Sequence, residues 1–332
     1  MSMINTKFKI LIYKTIYKLT PVKSIKKKII NSLNINEKIL FSGIKFVDKE
    51  TVSLAIKTMH ARGVNDQERA PRFIVSLTSY PERMNELQYT IHSLLSQTFR
   101  PDKVVLWLSE DQFPNLEKDV PCSVLSMVER GLTIRFCKND TRSFKKLIPS
   151  LMEFPEDIVI TADDDLYYDS RWLEQLVIHH DLEPQAVCVH MAKKIEFIEN
   201  DKLKSYRKWR RYNFYRRPCG NSALVFPLSG SGALFPPHCL HEDATNEDLF
   251  MKLTPYADDI WFWAMSVLNH TSIKWINQQP GEFTYVNPAR ELGLTGQSKL
   301  TSFNIQEGGN DRQFEAVLGH YPELRERLSR PS

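Results

Sequence analysis

The sequence predicts an α/β fold with a mostly parallel central sheet and helices on both faces. Short apolar runs, typical of buried parallel strands, recur through residues 73–189. Amphipathic stretches with helical spacing separate these runs. Polar and acidic residues follow several runs directly, at the carboxyl ends where parallel sheets place their binding sites.

Strands and helices are predicted in alternating order. The predicted strands are 73–77, 104–108, 133–136, 158–161 and 186–189. The predicted helices are 86–97, 144–152, 171–180 and 260–270. The first of these helices carries Leu87, Ile91 and Leu94 on one face. Because strands and helices alternate, consecutive strands run in the same direction and helices cover both faces of the sheet.

A basic arm precedes this body. Residues 1–36 hold eight lysines and no acidic residue, whereas the rest of the chain has 36 basic against 40 acidic residues. The arm has one apolar helical face, formed by Phe8, Ile12, Ile16 and Leu19. It is predicted to form basic amphipathic helices that lie on an anionic membrane surface. The alternative is an ordinary surface helix that packs on the body.

The chain divides into the arm 1–36, a connector 37–70 and a main domain 71–322, with halves 71–190 and 191–322. It contains no run of 18 apolar residues, and the arm lacks the features of a signal peptide. The five cysteines form no CxxC pair, which indicates reduced, buried thiols in a cytosolic protein. The absence of GxxxxGK[ST] and GxGxxG motifs excludes a P-loop and a dinucleotide-binding turn.

Three adjacent aspartates, Asp163, Asp164 and Asp165, follow the fourth predicted strand. Like charges this close repel and raise one another's pKa, so a cation is expected beside them. Mg²⁺ and Mn²⁺ prefer carboxylate oxygens and complete their shells with substrate phosphates. If the strand persists, Asp163 and Asp165 point the same way, so one can bind the metal while the other supports the ribose or a second metal position, and Asp164 is structural. The alternative is a solvated acidic turn or a helix N-cap.

These aspartates also carry a resemblance to a known family. The segment 158–168 resembles the DxD region of GT-A glycosyltransferases, and most of all the bacterial family-2-like enzymes that build surface polysaccharides. Segments 76–83 and 93–98 are similar to the first strand, nucleotide loop and first helix end of that group. The resemblance covers about residues 72–320. It implies a GT-A (Rossmann-like) fold, a nucleotide sugar donor, and Mn²⁺ or Mg²⁺ as cofactor.

The resemblance assigns several side chains to the nucleotide. They are Thr78, Tyr80, Arg83, Asp140, Lys145, Lys146 and Asp163. An aromatic ring at Tyr80 can stack near a base, and Arg83 offers a charged fork to a diphosphate. The alternatives are a turn in which Arg83 pairs with a nearby acid, and lysines that are solvated.

The resemblance also places a catalytic base in an acidic pair after a glycine loop, here residues 230–232. That pair is Asp258 and Asp259, with Asp259 as base and Asp258 as a ligand of an acceptor hydroxyl. The family usually has Glu-Asp at this point, so the base is less firmly assigned by the resemblance. Helix capping is the alternative, and Glu247-Asp248 is a competing acidic pair.

Two further features are open. His320 is a third candidate metal ligand by the resemblance, and Asp311 is a comparable one. The basic and aromatic stretch 202–217 suits an anionic acceptor, a lipid diphosphate or a charged glycan. A solvated loop and a nucleic-acid surface are the alternatives, and the acidic body argues against nucleic acid.

The expected function is metal-dependent, inverting transfer of a sugar, with UDP as the nucleotide, to a glycan or lipid-diphosphate-linked acceptor. Capsule or lipopolysaccharide synthesis is the expected setting, in the cytoplasm at the inner face of the plasma membrane. Alternatives are a retaining GT-A enzyme, a sugar-nucleotide nucleotidyltransferase, and a non-enzymatic lectin-like protein. The chain lacks the Gly-rich basic loop that nucleotidyltransferases usually carry after their first strand.

Overall fold

The described residues of the computed structural model are 11–12, 14–16, 44–198, 202–213, 220–276, 283–293, 304 and 307–329. Most of the basic arm, the end of the basic-aromatic stretch and Cys219 lie outside them. In the described part, Cys122, Cys137, Cys188 and Cys239 are free thiols, and only the last two are buried.

Alternating strands and helices run through the described residues. The strands are β1 (Lys45–Phe46), β2 (Phe73–Thr78), β3 (Lys103–Ser109), β4 (Leu132–Cys137), β5 (Ile158–Ala162), β6 (Leu166–Tyr167), β7 (Val187–Val189), β8 (Ala192–Lys194), β9 (Val225–Pro227), β10 (Ala233–Phe235), β11 (Ile273–Trp275) and β12 (Thr284–Tyr285). The helices are α1 (Lys49–Thr58), α2 (Met84–Leu94), α3 (Cys122–Leu125), α4 (Ile148–Glu153), α5 (Trp172–Leu182), α6 (Glu247–Leu253), α7 (Asp258–Leu268), α8 (Pro288–Glu291), α9 (Gly309–His320) and α10 (Glu323–Ser329).

Seven strands form the central sheet in the order β11-β7-β10-β5-β2-β3-β4. Only β10 runs antiparallel to its neighbours, β5 and β7. The predicted mostly parallel α/β fold is therefore confirmed. One predicted helix, 144–152, is split in two. A 3-10 turn spans Arg142–Lys146, and α4 begins at Ile148 because Pro149 suits a first helical turn.

Alternation along β5 places apolar side chains on both faces of the sheet. Ile158 and Ile160 join the core beneath α2 and α5, whereas Val159 joins the core beneath α7 and α9. The second core also takes Leu324 and Leu328 of α10, just beyond the predicted end of the main domain. Helices therefore cover both faces of the sheet, as predicted.

The carboxyl ends of the central strands share one edge of the sheet. Leu77 pairs with Ala162 and Thr78 with Trp107, so the segments after β2 and β5 emerge side by side. Because β10 is antiparallel, the loop before it reaches the same edge: Ala233 pairs with Thr161. This edge holds most of the side chains that the sequence analysis selected.

The segments outside the main sheet are also ordered around it. The predicted connector contains β1 and α1, and Ile56 of α1 is buried. Described residues of the arm are helical, and Leu11, Ile12 and Ile16 there are exposed. Within the described chain no helix is long and apolar enough to cross a membrane.

Candidate functional site

The acidic triplet forms a turn, because β5 ends at Ala162. The predicted strand alternation of Asp163 and Asp165 therefore does not apply. Their side chains are 42% and 28% exposed, whereas that of Asp164 is 7% exposed. The two outer carboxylates reach solvent and the middle one is buried.

Asp164 anchors the triplet to the loop after β2. Its carboxylate accepts a hydrogen bond from Ser79 Oγ at 2.5 Å and forms an ion pair with Arg83. Its backbone carbonyl accepts a hydrogen bond from Thr90 Oγ1 at 3.0 Å. These contacts give Asp164 the structural position expected of it.

Arg83 forms an ion pair with Asp165 as well as with Asp164. Its Nη1 lies 2.9 Å from Asp165 Oδ2, and its Nε donates to Tyr80 OH at 3.0 Å. Burial opposes the charge on Arg83, but Asp164 and Asp165 outweigh burial and raise the pKa of Arg83. Arg83 thus pairs with nearby acids, which was one of the two sequence interpretations. Thr78 Oγ1 donates to the Trp107 carbonyl at 2.8 Å, which ties this loop to β3.

Lys146 joins the triplet to the second acidic pair. Its Nζ lies 2.9 Å from Asp163 Oδ1 and 3.0 Å from Asp258 Oδ2. Burial opposes the charge on Lys146, but Asp163 and Asp258 outweigh burial and raise the pKa of Lys146 well above its usual value. Lys146 is buried at the end of its 3-10 turn, so the alternative of a solvated lysine is wrong.

Asp258 and Asp259 are the first two residues of α7. The N-cap residue is Ala257, which has no side-chain capping bond, so neither aspartate caps the helix with its carboxylate. Asp259 Oδ1 instead accepts hydrogen bonds from Ser229 N, at 2.9 Å, and from Ser229 Oγ. Within the described residues, Asp259 Oδ2 accepts none. Burial and the charge of Asp258 raise the pKa of Asp259 to about 7. Lys146 and the hydrogen bonds from Ser229 act in the opposite direction but are outweighed.

The glycine loop before β10 holds both acidic groups together. Ser229 binds Asp259, and a Cβ at Gly230 would lie 1.8 Å from Asp163 Oδ2. Tyr168 OH donates to the Gly230 carbonyl at 2.7 Å and accepts from Asp163 N at 2.7 Å. Position 230 therefore requires glycine, since any side chain would collide with the triplet.

Asp140 and Lys145 form a separate pair after β4. Lys145 Nζ forms an ion pair with Asp140 Oδ1, and Gln112 Nε2 donates to Asp140 Oδ2 at 2.8 Å. Lys145 is only 2% exposed, so it is not solvated either. Asp140 follows β4, at the same edge of the sheet as the loop after β2.

The donor atoms of the triplet fit a hard divalent cation. Oδ1 of Asp163 binds Lys146 and Oδ2 of Asp165 binds Arg83, while the second oxygen of each accepts no hydrogen bond from the described residues. Mg²⁺ is commonly held by one or two carboxylates together with substrate phosphates. Among the described residues no group of three or more His, Cys, Asp or Glu is arranged to hold a metal. A cation held here would therefore need ligands besides Asp163 and Asp165.

The remaining predicted residues lie apart from these contacts. His320 is exposed at the end of α9, and its ring contacts Tyr321. Asp311 accepts hydrogen bonds from Ser205 Oγ at 2.7 Å and Tyr206 N at 2.6 Å, so it anchors the basic-aromatic stretch. Glu247 accepts a hydrogen bond from Asn139 Nδ2 at 2.8 Å. None of these side chains contacts the triplet in the described structure.

The aromatic half of the basic stretch belongs to the core. Tyr206, Trp209 and Tyr212 are buried, and Trp209 packs edge-on against Phe226 and Phe314. They do not form an exposed platform for sugar rings. Of the described basic side chains in this stretch, Lys204 and Arg210 both form ion pairs with Glu196.

Several site residues escaped the sequence analysis. Ser229 and Tyr168 gave no motif, although the glycine loop next to Ser229 was recognised as a loop. Val286 N donates to the Asp165 carbonyl at 2.9 Å, because β12 pairs with β6 directly after the triplet. The signal for these contacts was absent because they join parts of the chain that are far apart in sequence.

Comparison with known proteins gives limited similarity. No family model and no curated protein matches the sequence. The chain is similar to the crystal structure of S. aureus TarS 1-349, with 14% identity over 75% of this chain and 72% of that one and a TM-score of 0.41. The TarS 1-349 complex with UDP-GlcNAc is 16% identical over 64% of this chain and 57% of that one, with a TM-score of 0.40. CMP:2-keto-3-deoxy-manno-octonic acid synthetase complexed with CTP is 10% identical over 63% of this chain and 90% of that one, with a TM-score of 0.39. The chain spans 43% of a longer TarS structure. Similarity at this level assigns no function to the chain.

Proposed function

We propose that this chain is a metal-dependent glycosyltransferase that moves a sugar from a UDP-sugar to an acceptor hydroxyl. One observation carries the proposal: Asp259 has an anchored oxygen and an open one, and its neighbour Asp258 shares a buried cation with the acidic triplet. A proton acceptor and a set of metal-type carboxylates thus lie at one edge of the sheet. Metal-dependent, inverting transfer of a sugar from a nucleotide diphosphate uses both.

In the proposed reaction the acceptor hydroxyl oxygen bonds to the anomeric carbon of the donor sugar. The bond from that carbon to the diphosphate oxygen breaks, and its electron pair leaves with UDP. Asp259 Oδ2 takes the hydroxyl proton, while Ser229 holds Oδ1 in place. A pKa near 7 suits this role, because about half of the base is then ionised at neutral pH and it still binds a proton strongly. The displacement proceeds from the side opposite UDP, so the configuration inverts.

Asp163 and Asp165 would hold the Mg²⁺ or Mn²⁺, which neutralises the charge of the leaving diphosphate when bound. Arg83 and Lys146 hold these carboxylates in position through ion pairs. Tyr80 and Thr78 line the loop proposed to face the nucleotide. Asp140, held by Lys145 and Gln112, is proposed to accept a hydrogen bond from the base edge.

The acceptor is proposed to be a glycan or a lipid-diphosphate-linked glycan in surface-polysaccharide synthesis. Membrane contact would come from the N-terminal arm. Its described residues are helical and expose Leu11, Ile12 and Ile16, and the arm carries eight lysines without an acidic residue. This combination of an apolar face and positive charge suits binding at an anionic surface.

The decisive experiment incubates the full chain and Mn²⁺ with a panel of UDP-sugars and a mixture of oligosaccharide acceptors. Released UDP is measured enzymatically and products are identified by mass spectrometry. We expect UDP release and a glycosylated product, both lost in Asp259→Asn although that variant still binds UDP. Pyrophosphate release from UTP and a sugar 1-phosphate would instead identify a nucleotidyltransferase. Binding of UDP-sugars without turnover of any acceptor or of water would favour a lectin-like protein, and an axial product would indicate retention.

A further inference from the structure

Lys193, in the middle of β8, is a buried ammonium group without an acidic partner. The residue is 9% exposed. Its Nζ donates to the Tyr206 carbonyl at 3.4 Å and lies 3.7 Å from the centroid of the Tyr206 ring. In the described structure no carboxylate lies at ion-pair distance from it. The neighbouring cations differ, since Lys204 and Arg210 both bind the buried carboxylate of Glu196.

A buried charge without a counter-charge is costly, so such groups usually have a partner. The face of the Tyr206 ring and one carbonyl offset part of this cost. Burial and Arg211 lower the pKa of Lys193 to about 8, against the attraction of Asp259 and Asp311. Both carboxyl oxygens of Asp311 already bind Ser205 and Tyr206. Among the described residues, no carboxylate is therefore left to balance Lys193 at ion-pair distance.

Arg211 adds a second positive charge at the same place. It lies opposite Lys193 in an antiparallel β-bridge, and its side chain is exposed. Its positive charge acts to lower the pKa of Lys193, Tyr206 and Tyr285. Asp165 and Asp163 act on Tyr285 in the opposite direction. Arg211 therefore places a solvent-exposed positive charge beside Lys193.

Asp259 lies close to this pair of cations. The charge of Asp259 acts to raise the pKa of Lys193. Burial and, after it, the charge of Asp259 raise the pKa of Tyr206. The β8–β9 pairing explains the proximity, because Lys193 pairs with Phe226 of β9 and the chain then continues to Ser229, which binds Asp259. An anion bound by Lys193 and Arg211 would thus lie beside the open oxygen of Asp259.

We propose that Lys193 and Arg211 form an oxyanion subsite that binds a phosphate or carboxylate group of the acceptor. The inference rests on the proposed function, since it assigns the acceptor side of that site and makes the acceptor an anionic glycan. In this subsite Lys193 contacts the anion from the buried side, and Arg211 contacts it from the solvent side. The acceptor hydroxyl next to this anion would then face Asp259.

Isothermal titration calorimetry on the full chain tests the subsite, with saturating UDP and Mn²⁺ to occupy the donor side. The probes are glucose 1-phosphate, glucuronate and glucose, which separate phosphate from carboxylate and from a neutral sugar. We expect wild type to bind at least one anionic probe and not glucose. Lys193→Met should weaken that binding at least tenfold and Lys193→Arg should restore it. Lys194→Met is the matched control and should bind like wild type, because Lys194 is the next residue on β8 and points to the opposite face.

Thermal unfolding of the same variants excludes a trivial loss of structure. Lys193→Met removes an unpaired buried charge and should melt at the same temperature as wild type or higher. Equal binding of the anions by wild type and Lys193→Met would overturn the subsite. If the chain releases UDP from UDP-sugars and the anions bind independently of Lys193, only the subsite fails. If Lys193-dependent anion binding occurs but UDP neither binds nor forms, the subsite stands as an anion site and the glycosyltransferase proposal fails.

Discussion

Asp163 and Asp258 share one buried cation, the ammonium group of Lys146, at 2.9 and 3.0 Å. Asp163 follows β5 and Asp258 begins α7, so the contact joins the two halves of the main domain through three side chains. Each carboxylate reduces the cost of burying Lys146, and Lys146 in turn reduces the repulsion between the carboxylates. Replacing Lys146 would leave both carboxylates without the cation they share, whereas replacing either aspartate leaves Lys146 one partner.

Lys146→Met should therefore destabilise the fold. We expect a loss of about 3 kcal/mol in the free energy of unfolding, at the low end for a broken buried ion pair because Asp163 is 42% exposed. Lys138→Met is the control, since Lys138 is exposed and precedes the same turn. Urea denaturation at pH 7.5 gives both values. A Lys146→Met variant as stable as Lys138→Met would show that the bridge contributes little.

The raised pKa of Asp259 makes stability depend on pH. In the unfolded chain the carboxyl group ionises near its usual pKa of 3.8, whereas in the folded chain it ionises near 7. The folded protein thus holds the proton more tightly, so this stabilisation is complete below about pH 4 and is lost as pH rises through 7. Relative to Asp259→Asn, wild type should lose about 2–4 kcal/mol over that range, since one pKa unit is about 1.4 kcal/mol.

Parallel urea denaturation of wild type and Asp259→Asn at half-unit steps from pH 4 to 8 measures this difference. Subtraction removes the contribution of other titrating groups that the two proteins share. A difference that stays flat, or that grows in favour of wild type with rising pH, would contradict the raised pKa.

The same ionisation should control catalysis in the proposed reaction. Asp259 acts as base only when ionised, so kcat/KM should rise with pH and level off above an apparent pKa near 7. Ser229→Ala removes the hydroxyl that stabilises the ionised form, so the midpoint should move to higher pH. Initial rates of UDP release at subsaturating acceptor give both profiles. A midpoint that does not move in Ser229→Ala would assign the profile to another group.

Metal dependence should reside in the outer aspartates of the triplet. Wild type should bind UDP at least tenfold more tightly with Mn²⁺ than with EDTA, and Asp165→Ala should lose this difference. Asp164→Asn should instead lower stability by about 1–3 kcal/mol, because its buried carboxylate binds Ser79 and Arg83. Calorimetry with UDP and thermal unfolding separate the two effects. Undiminished Mn²⁺-dependent UDP binding by Asp165→Ala would remove the metal from the triplet.

The strands, most helices and the edge that carries the site could be predicted because their signals are local. An apolar run such as 158–161 and the polar turn after it are visible within ten residues. The direction of Asp163 and Asp165 was predicted wrongly, because strand alternation was extended past Ala162 into a turn. Where a strand stops depends on the hydrogen bonds of Asp164 with Ser79 and Arg83, which are distant in sequence.

Lysines were the hardest residues to interpret from sequence. Lys146, Lys145 and Lys193 each belong to a pair of adjacent lysines, and lysines are usually solvated. All three are buried, and what distinguishes them is a partner, or the lack of one, that only the folded chain brings near. In the same way, Tyr206 and Trp209 lie between basic residues yet pack in the core. The lysine and arginine residues on either side made this stretch read as solvent-exposed from the sequence.

Gly230 should tolerate no side chain. A Cβ there would lie 1.8 Å from Asp163 Oδ2, a distance that requires either the carboxylate or the loop to move. Gly230→Ala should therefore displace Asp163 from Lys146 and weaken Mn²⁺-dependent UDP binding at least tenfold. Gly319→Ala is the matched control, because a Cβ at that position in α9 has no atom within 4 Å. The control should bind UDP like wild type and gain up to about 1 kcal/mol of stability from the better helix propensity of alanine. Equal UDP affinities in the two variants would show that the loop before β10 does not position the triplet.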